Sequence, residues 1–383
     1  MFKDMEGIIR DNEIKIIRLK FVDISGTMYA VSITESKIEK AVEQGIGFDS
    51  SSIPQFGKIA NSDMKLRPDP STFKIINGER KVGSLICDIT YPNGKPYEKC
   101  TRSLLKNELE RYEEEYILKP EMEFFLTKDG EIIDEYTYLN STFDSLGHKL
   151  LDEFAVFLEG AGIKVEKFHH ENGKAQYEIE IAPTNALEAA DSVIYFKEIA
   201  QRIAHEHDVE VSFLPKPFKE EAGSGMHVHQ ELRKNGKNLF GSEKLTELGE
   251  RFIAGQLHHI NGLTRVLNSV ENSYERFGKE EAPRYVCWGY SNRSTLIRIP
   301  PSGRIEIRSP DPACNPYLAF FFLLKTGLSG DGELPDPVEG NAYEYDTARL
   351  KKEGIKELPN SLKEAEKAFI RDPLFNEYAY LFE

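Results

Sequence analysis

The chain has 383 residues, of which 40% are apolar and 30% are charged, and its formal net charge is −15 at pH 7. This composition is typical of a soluble folded protein that is long enough for two domains. The negative charge argues against nucleic acid as a partner, and the longest apolar run, 317–324, is too short to cross a bilayer. Residues 1–20 mix charges throughout and give no signal peptide, so we expect a cytoplasmic protein without a membrane partner.

Four cysteines are scattered along the chain, with no Cys-x-x-Cys pair among them. They are Cys87, Cys100, Cys287 and Cys314. This pattern is typical of buried thiols in a reducing compartment rather than of a disulfide framework or a zinc site.

The N-terminal part of the chain predicts a small strand-rich unit. Strands at 14–22 and 28–33 join through a turn that contains Gly26, and a third strand lies at 85–90. Residues 45–54 predict a loop, and residues 62–71, rich in Pro and Asp, predict an irregular segment. Because Pro and Gly break the pattern at 92–96, we place a domain boundary near residue 98.

The remainder of the chain mixes helices and strands. A helical spacing of Leu105, Leu109, Tyr112 and Tyr116 leads into a strand at 120–126. The spacing of apolar residues predicts further helices over 146–158, 186–207 and 245–268. Further strands are predicted at 165–168, 176–181, 211–214, 296–299 and 304–308. Since regular β-α-β alternation is lacking, the pattern favours an α+β fold.

Glu121 and Glu123 flank one apolar residue in the strand that begins at Pro120. Side chains alternate along a strand, so both carboxylates should face the same way, about 7 Å apart. Two like charges on an otherwise apolar strand repel each other and are costly to bury, and a divalent cation would relieve both problems. Oxygen ligands favour Mg²⁺ or Mn²⁺. The alternative for a lone Glu-x-Glu is an edge strand with one solvated face.

Three further patterns could add ligands to this pair. Glu171 and Glu178 stand on either side of a short reversal, and His227 and His229 alternate about a valine. Arg304, Glu306 and Arg308 alternate with isoleucines, a pattern that suits anion binding beside a metal. Each pattern alone also fits a surface glutamate or a core histidine. Taken together, they have the composition of a two-metal site for phosphoryl transfer.

These motifs and several others resemble the glutamine synthetase family in their order and spacing. The resemblance runs from about residue 13 to 370. The motifs that carry it are Pro-Glu-Met-Glu-Phe-Phe at 120–125, His-Glu-(x)6-Glu at 170–178, Gly-Ser-Gly-Met-His at 223–227, Asn-Arg-Ser at 292–294, Ile-Arg-Ile-Pro at 297–300 and Asn-Pro-Tyr at 315–317.

The resemblance implies a fold, an activity and a set of partners. The fold would be an N-terminal β-grasp-like domain (1–98) and a C-terminal catalytic domain (99–383) with a curved antiparallel sheet. The activity would be ATP-dependent ligation of ammonia to the γ-carboxylate of glutamate through γ-glutamyl phosphate, with two or more Mg²⁺ or Mn²⁺ ions per site. Active sites would lie between subunits of a homo-oligomeric ring, a hexamer or a dodecamer. The family's terminal helices, which join a second ring, are missing after Glu383, and this leaves the choice open.

The resemblance also assigns roles to individual residues. The expected metal ligands are Glu123, Glu171 and Glu178 near glutamate, and Glu121, His227 and Glu306 near the ATP phosphates. The expected ATP and phosphate contacts are His229, Arg293, Arg298 and Arg304. The expected substrate contacts are Tyr138, Arg276, Gly223 and Ser52. The expected catalytic residues are Asp49, which takes a proton from ammonium, Glu281, which shields the intermediate from water, and Arg298 and Arg308, which offset phosphate and γ-carboxylate charge.

Two departures from the family pattern keep other functions open. Ser50 stands where the family has Gly, and Ala222 stands where it has Asn beside the glutamate site. These residues motivate a second hypothesis, γ-glutamylation of an organic amine. A third hypothesis, a non-catalytic scaffold, is disfavoured because all six presumptive metal ligands are present.

Overall fold

The structure is a computed structural model that describes residues 2–141, 144–242, 244–279 and 282–382. The chain forms two compact units. The first contains residues up to 108 together with 160–162 and 380–382, and the second contains residues 109–159 and 163–379. The predicted boundary near residue 98 stays a prediction.

The first unit is built around one mixed sheet. Its elements are α1 (Phe2–Asp11), β1 (Ile16–Val22), β2 (Met28–Thr34), α2 (Ile38–Gln44), β3 (Ile46–Asp49), β4 (Asp63–Pro68), β5 (Lys74–Asn77), β6 (Val82–Thr90) and α3 (Thr101–Leu109). The sheet order is β2-β1-β6-β4-β3, with β5 also on β6, and β1 runs parallel to β6. Alternate residues of the strands, such as Ile17, Leu19 and Leu66, form the buried core.

The strand predictions for this unit are confirmed where the apolar pattern is long, and they are wrong where it is short. The predicted loop at 45–54 contains β3, and the predicted irregular segment at 62–71 contains β4. These two strands pair with each other, Phe48 opposite Met64, so their stability comes from a non-local partner. Helix α1 was not predicted, although Met5 and Ile9, four residues apart, are its buried side chains.

The second unit is built around a larger sheet with helices packed against it. Its strands are β7 (Glu115–Lys128), β8 (Glu131–Ile132), β9 (Val165–His170), β10 (Gln176–Ile181), β11 (Thr184–Asn185), β12 (Glu210–Ser212), β13 (Met226–Lys234), β14 (Lys237–Asn238), β15 (Tyr285–Val286), β16 (Trp288–Tyr290), β17 (Ile297–Ile299), β18 (Ile305–Ile307) and β19 (Lys356–Glu357). Its helices are α4 (Leu146–Gly160), α5 (Ala186–Glu206), α6 (Glu247–Leu267), α7 (Pro316–Gly327), α8 (Thr347–Lys352), α9 (Leu362–Arg371) and α10 (Pro373–Asn376). The main sheet runs β16-β17-β18-β13-β7-β10-β9.

Most sequence predictions for this unit are confirmed. The three long helices fall within one or two residues of their expected ends, and the pairs along β18-β13-β7-β10-β9 are antiparallel. The predicted helical run to Tyr116 is wrong in its second half. Helix α3 ends at Leu109, and Tyr116 is a strand residue whose hydroxyl donates to the buried Gln230 side chain at 2.7 Å. An α+β fold is therefore observed.

Strand β7 is the centre of the main sheet, and its two faces differ in chemistry. Phe124 points to the helix side, where its ring centroid lies 5.6 Å from that of Phe196 on α5. Lys119, Glu121 and Glu123 point to the opposite face, as the alternation predicted for the two glutamates. Pro120 lies within this central strand, opposite Val228 of β13.

The cysteines and the helices can be compared with the predictions of buried thiols and of a chain without a membrane span. The four cysteines are buried and free, which confirms the prediction of buried thiols. None of the helices in the described part of the chain combines the length and the apolar character that a bilayer span requires.

Candidate active site

A cavity of about 530 Å³ opens on the polar face of the main sheet. Strand pairing explains which side chains share it. Glu121 and Glu123 of β7 stand opposite Glu180 and Glu178 of β10, and His227 of β13 stands opposite Glu121 on the other side. On the next strand, Glu306 of β18 pairs with His229. Carboxylates and imidazoles that are distant in sequence therefore meet because neighbouring strands are in register.

The carboxylates and imidazoles lie close enough together to hold metal ions. Ligand atoms lie within 4.8 Å of one another in the group Glu121, His227 and Glu306, and in the group Glu123, Glu178 and His227. Glu171 joins Glu178 in a further group with His169. The structure thus gathers all six expected ligands, and His169 is an addition that the sequence reasoning did not select. Hard oxygen donors with one imidazole are a donor set that fits Mg²⁺ or Mn²⁺.

Glu121 is held between the two histidines of β13. His229 Nε2 lies 2.7 Å from Glu121 Oε1, and His227 Nδ1 lies 3.4 Å from Glu121 Oε2. Burial alone would raise the pKa of Glu121, but its electrostatic attraction to His229 and His227 and its hydrogen bonds with them outweigh burial and hold this pKa well below its usual value. Glu121 is therefore ionised and ready to bind a cation.

Arginines surround Glu306 at one end of the cavity. Arg298 donates to Glu306 Oε2 at 2.5 Å, and Arg308 donates to Glu306 Oε1 at 2.6 Å. Arg293 and Arg304 also line the cavity. A guanidinium has five N–H donors, so an arginine bound to a carboxylate can still donate to a phosphate. This end of the cavity is suited to a polyanion.

Arg276 and Gly223 line another part of the cavity, and Gly225 lies beside them. Arg276 is buried and donates to the backbone carbonyls of Arg308, at 3.0 Å, and Ser309, at 2.8 Å. A Cβ added at Gly223 or Gly225 would lie 2.6 Å from atoms of this arginine. The Gly225 N–H donates to Glu123 Oε2 at 2.8 Å. The glycine loop therefore has to be free of side chains so that backbone, arginine and carboxylate can approach.

The other expected site residues are distributed as follows. Tyr138, half exposed, lines the cavity with its ring centroid 5.7 Å from that of His169. Asp49 and Ser52 belong to the first unit, where Asp49 accepts hydrogen bonds from the Ser51 N–H and hydroxyl at 2.9 and 2.7 Å. Glu281 lies outside the described residues. The roles assigned to these residues stay predictions.

Three charged side chains of the cavity were not selected from the sequence, namely Lys119, Lys167 and Glu180. Lys119 stands two residues before Glu121, and Glu180 stands two residues after Glu178, so both share the polar face by simple alternation. Extending the alternation by one step in each strand would have found both.

Comparisons with known proteins agree over nearly the whole chain. The family model described as the glutamine synthetase catalytic domain matches residues 98–382, and the one described as the glutamine synthetase beta-grasp domain matches residues 13–92. A glutamine synthetase of Pyrococcus furiosus is 40% identical over 387 residues, which cover 96% of this chain and 87% of the relative. One from Thermus thermophilus is 37% identical, with coverage of 96% and 89%.

Two solved structures share the fold. A GmaS/ADP complex superposes with a TM-score of 0.89 at 27% identity, covering 100% of this chain and 94% of that chain. Plasmodium falciparum glutamine synthetase superposes with a TM-score of 0.85 at 21% identity and the same coverage. The second similarity concerns the fold alone.

Proposed function

Because this chain belongs to the glutamine synthetase family, we propose that it ligates ammonia to the γ-carboxylate of glutamate, with ATP converted to ADP and phosphate. At a coarser level it is a glutamine synthetase-type ligase. The observation that supports the proposal most directly is a single cavity with clustered carboxylates and histidines at its centre and arginines around them. A carboxylate is a poor electrophile, and activation by phosphoryl transfer requires this combination of charges.

We propose that two or more divalent ions bind in the carboxylate groups. Glu121, His227 and Glu306 would hold one ion. Glu123, Glu178 and Glu171 would hold the other, with Glu178 shared between the group that contains Glu123 and the group that contains Glu171. When bound, these ions supply positive charge that offsets the negative charge of ATP and glutamate. Burial of Glu121, Glu123, Glu178 and Glu306 favours such binding, since a bound ion offsets the cost of holding their negative charges in the interior.

In the proposed reaction, this chain's own cations position the two anionic substrates. Arg276 would bind the α-carboxylate of glutamate, because its guanidinium is fixed by two backbone carbonyls at the cavity wall. Arg298, Arg304 and Arg293 would bind phosphate oxygens, and His229 would donate to them from β13. Arg308 would lie beside the reacting γ-carboxylate. Fixed donors of this kind stabilise the moving phosphoryl charge without further reorganisation.

The acceptor side of the proposal depends on Asp49, Tyr138 and Ser52. Ammonium is not a nucleophile until it loses a proton, and a carboxylate can both bind it and accept that proton. Hydrogen bonds from Ser51 lower the pKa of Asp49, so the carboxylate is ionised at neutral pH. Glu281 would shield the acyl phosphate from water.

The assembly is part of the proposal. Asp49 and Ser52 belong to the first unit, and we propose that this unit completes the site of a neighbouring subunit in a hexameric or dodecameric ring in the cytoplasm. Light scattering combined with activity measurements tests this point. A fully active monomer would contradict it.

A second candidate function is γ-glutamylation of an organic amine. Ala222 is buried at the cavity wall, where its short side chain would leave room beside a bound glutamate, and a protein named GmaS, solved as a complex with ADP, shares this fold. Ser50, the other departure, does not favour this candidate. Its side chain is buried and its hydroxyl donates to the Ser62 carbonyl at 2.9 Å, so it serves the loop itself.

The test is a panel of ammonium and small amines, assayed for ADP release with glutamate and Mg²⁺. We expect saturable turnover with ammonium. ADP release with an amine but not with ammonium would support the second candidate. No ADP release with any acceptor would indicate a non-catalytic scaffold.

An Asp49→Asn variant sharpens the result. General base catalysis contributes roughly 10²–10⁴-fold, so ammonium-dependent turnover should fall by about that factor. Hydroxylamine is neutral and nucleophilic at neutral pH, so the variant's turnover with hydroxylamine should fall by a smaller factor than its turnover with ammonium. Equal losses with the two acceptors would show instead that Asp49 only holds its loop.

A further inference from the structure

We propose that Lys119 is a built-in cation that occupies the position of an additional metal ion beside the two proposed above. Lys119 has no part in the reaction proposed above, and its role beside the metal ions rests on that proposed function. Lys119 lines the same cavity, and its side chain is only 9% exposed.

The geometry begins with four carboxylates on two adjacent strands. Glu121 stands opposite Glu180, and Glu123 stands opposite Glu178. Oxygen atoms of Glu121, Glu178 and Glu180 lie within 4.8 Å of one another, which is a spacing that a cation can bridge. Three carboxylates so close together, all buried, are costly unless positive charge stands between them.

Lys119 supplies that charge. Its ammonium pairs with Glu180 Oε2 and lies 3.5 Å from Glu121 Oε1, so it connects two of the three carboxylates. On the opposite side, Lys167 of β9 lies 2.6 Å from Glu180 Oε1. Each oxygen of Glu180 therefore has a lysine of its own.

The two lysines differ in a way that separates their roles. Lys167 is 57% exposed, and it forms an ion pair with Glu180 on the neighbouring strand. Lys119 is enclosed and reaches across to Glu121, which offers its other oxygen to His227. Lys119 thus shares one oxygen of Glu121 with His229, which is 2.7 Å away, and the second oxygen is directed toward the proposed metal position. Lys167 is the natural control, because it contacts the same carboxylate without entering this position.

A Lys119→Met variant keeps the length of the side chain and removes its charge. Three buried carboxylates would then lie together without the ammonium between them, and we expect them to bind one further divalent ion. The Lys119→Arg variant keeps the charge and should bind as many ions as the wild type, and so should Lys167→Met. In the double variant Lys119→Met/Glu180→Gln, the third carboxylate charge is removed as well, so the extra ion should be lost again.

The experiment counts Mn²⁺ ions bound per chain. Full-length protein is stripped with a chelator and titrated with Mn²⁺ without nucleotide, while free Mn²⁺ is followed by electron paramagnetic resonance. We expect two ions in the wild type and one more in Lys119→Met. Circular dichroism checks that each variant is folded, and Lys119→Gln, which also removes the charge, takes the place of Lys119→Met if that variant does not fold.

The outcomes separate this inference from the proposed function. Fewer than two Mn²⁺ ions in the wild type would overturn the proposed metal sites. Equal numbers and equal affinities in the wild type and Lys119→Met would overturn the role of Lys119 while leaving those sites intact. An extra ion that persists in the double variant would also overturn it, because Glu180 would then not be part of the position.

Discussion

Glu306 and Glu178 are buried carboxylates of one cavity, yet their pKa values move in opposite directions. For Glu306, burial is outweighed by Arg308 and the neighbouring imidazoles, and its pKa falls to about 2. For Glu178, burial and then the charges of Glu121 and Glu123 all raise the pKa well above the usual value. Burial is common to both, so the difference comes from their neighbours.

This difference shows that negative charge is balanced in different ways at the two ends of the cavity. At the Glu306 end, two arginines neutralise the carboxylate in the folded protein itself. At the Glu178 end, carboxylates stand opposite carboxylates across β7 and β10. The carboxylate at the first end is balanced by arginines before any ion binds, whereas the carboxylates at the second end gain more from an added cation. The arginines at the Glu306 end are thus preorganised for phosphate, and the Glu178 end depends more strongly on metal.

The largest expected effect comes from removing the histidine that links the two ends. His227 is in a ligand group with Glu306 and in another with Glu178. We expect His227→Ala to lower turnover by more than about 10²-fold at ordinary Mg²⁺ concentrations, because one ion loses a ligand and the other loses an adjacent imidazole. Glu123→Ala should have a comparable effect. His207→Ala, which changes an exposed histidine paired with Glu153, is the control, and steady-state kinetics is the measurement. Near-normal activity in His227→Ala would show that metal binding at the two ends of the cavity does not depend on His227.

The next effect is on stability and is confined to the Glu306 end. Glu306→Gln leaves Arg298 and Arg308, both largely buried, without their carboxylate. Breaking a buried ion pair by removing one partner costs roughly 3–5 kcal/mol. We expect a loss of that size in the free energy of unfolding, measured by chemical denaturation of chelator-treated protein. An unchanged free energy would mean that the arginines do not depend on Glu306.

A smaller effect is the pH dependence of metal binding at the Glu178 end. Because its pKa is raised in the metal-free protein, Glu178 still holds a proton at pH values at which an ordinary glutamate is ionised. A metal ion must displace that proton. Affinity for Mn²⁺ should therefore rise with pH, by up to about tenfold per unit, until the raised pKa is passed. Titrations at several pH values test this slope, and a flat profile would show that Glu178 is already ionised.

The smallest expected effect is a gain in the free energy of unfolding, whereas Glu306→Gln should lower this free energy. Since a raised pKa means that the ionised form destabilises the fold, Glu178→Gln should stabilise the metal-free protein by about 1 kcal/mol or more at pH 8. The gain should shrink as pH falls toward the ordinary glutamate pKa, where Glu178 is protonated in any case. Denaturation with a chelator at two pH values measures it. With Mg²⁺ added, the same variant should lose its advantage.

Much of this comparison could be predicted from the sequence, and the missing part has a physical explanation. Alternation along single strands predicted that Glu121 would share a face with Glu123, and His227 with His229. It could not predict that Glu180 would stand between Lys119 and Lys167, because that contact requires β9, β10 and β7 to be neighbours in register. Strands β3 and β4 were missed for the same reason, since each is short and depends on the other. Local patterns predicted the elements, and non-local pairing decided the balance of charge.

Pro120 in the central strand has a consequence for how the chain folds. The Glu123 N–H bonds to the Gly225 carbonyl and the Leu126 N–H bonds to the Ala175 carbonyl, so the even-numbered residues of β7 direct their backbone groups away from β13. The missing donor of Pro120 therefore falls on the side where the pairing of β7 passes from β10 to β11. If the pairing register of β7 shifted by one residue, Pro120 would face β13, and one backbone hydrogen bond between the two strands would be lost. The same shift would move Glu121 and Glu123 to the apolar face of the sheet. The proline thus penalises misaligned sheets during folding, before any ligand is bound.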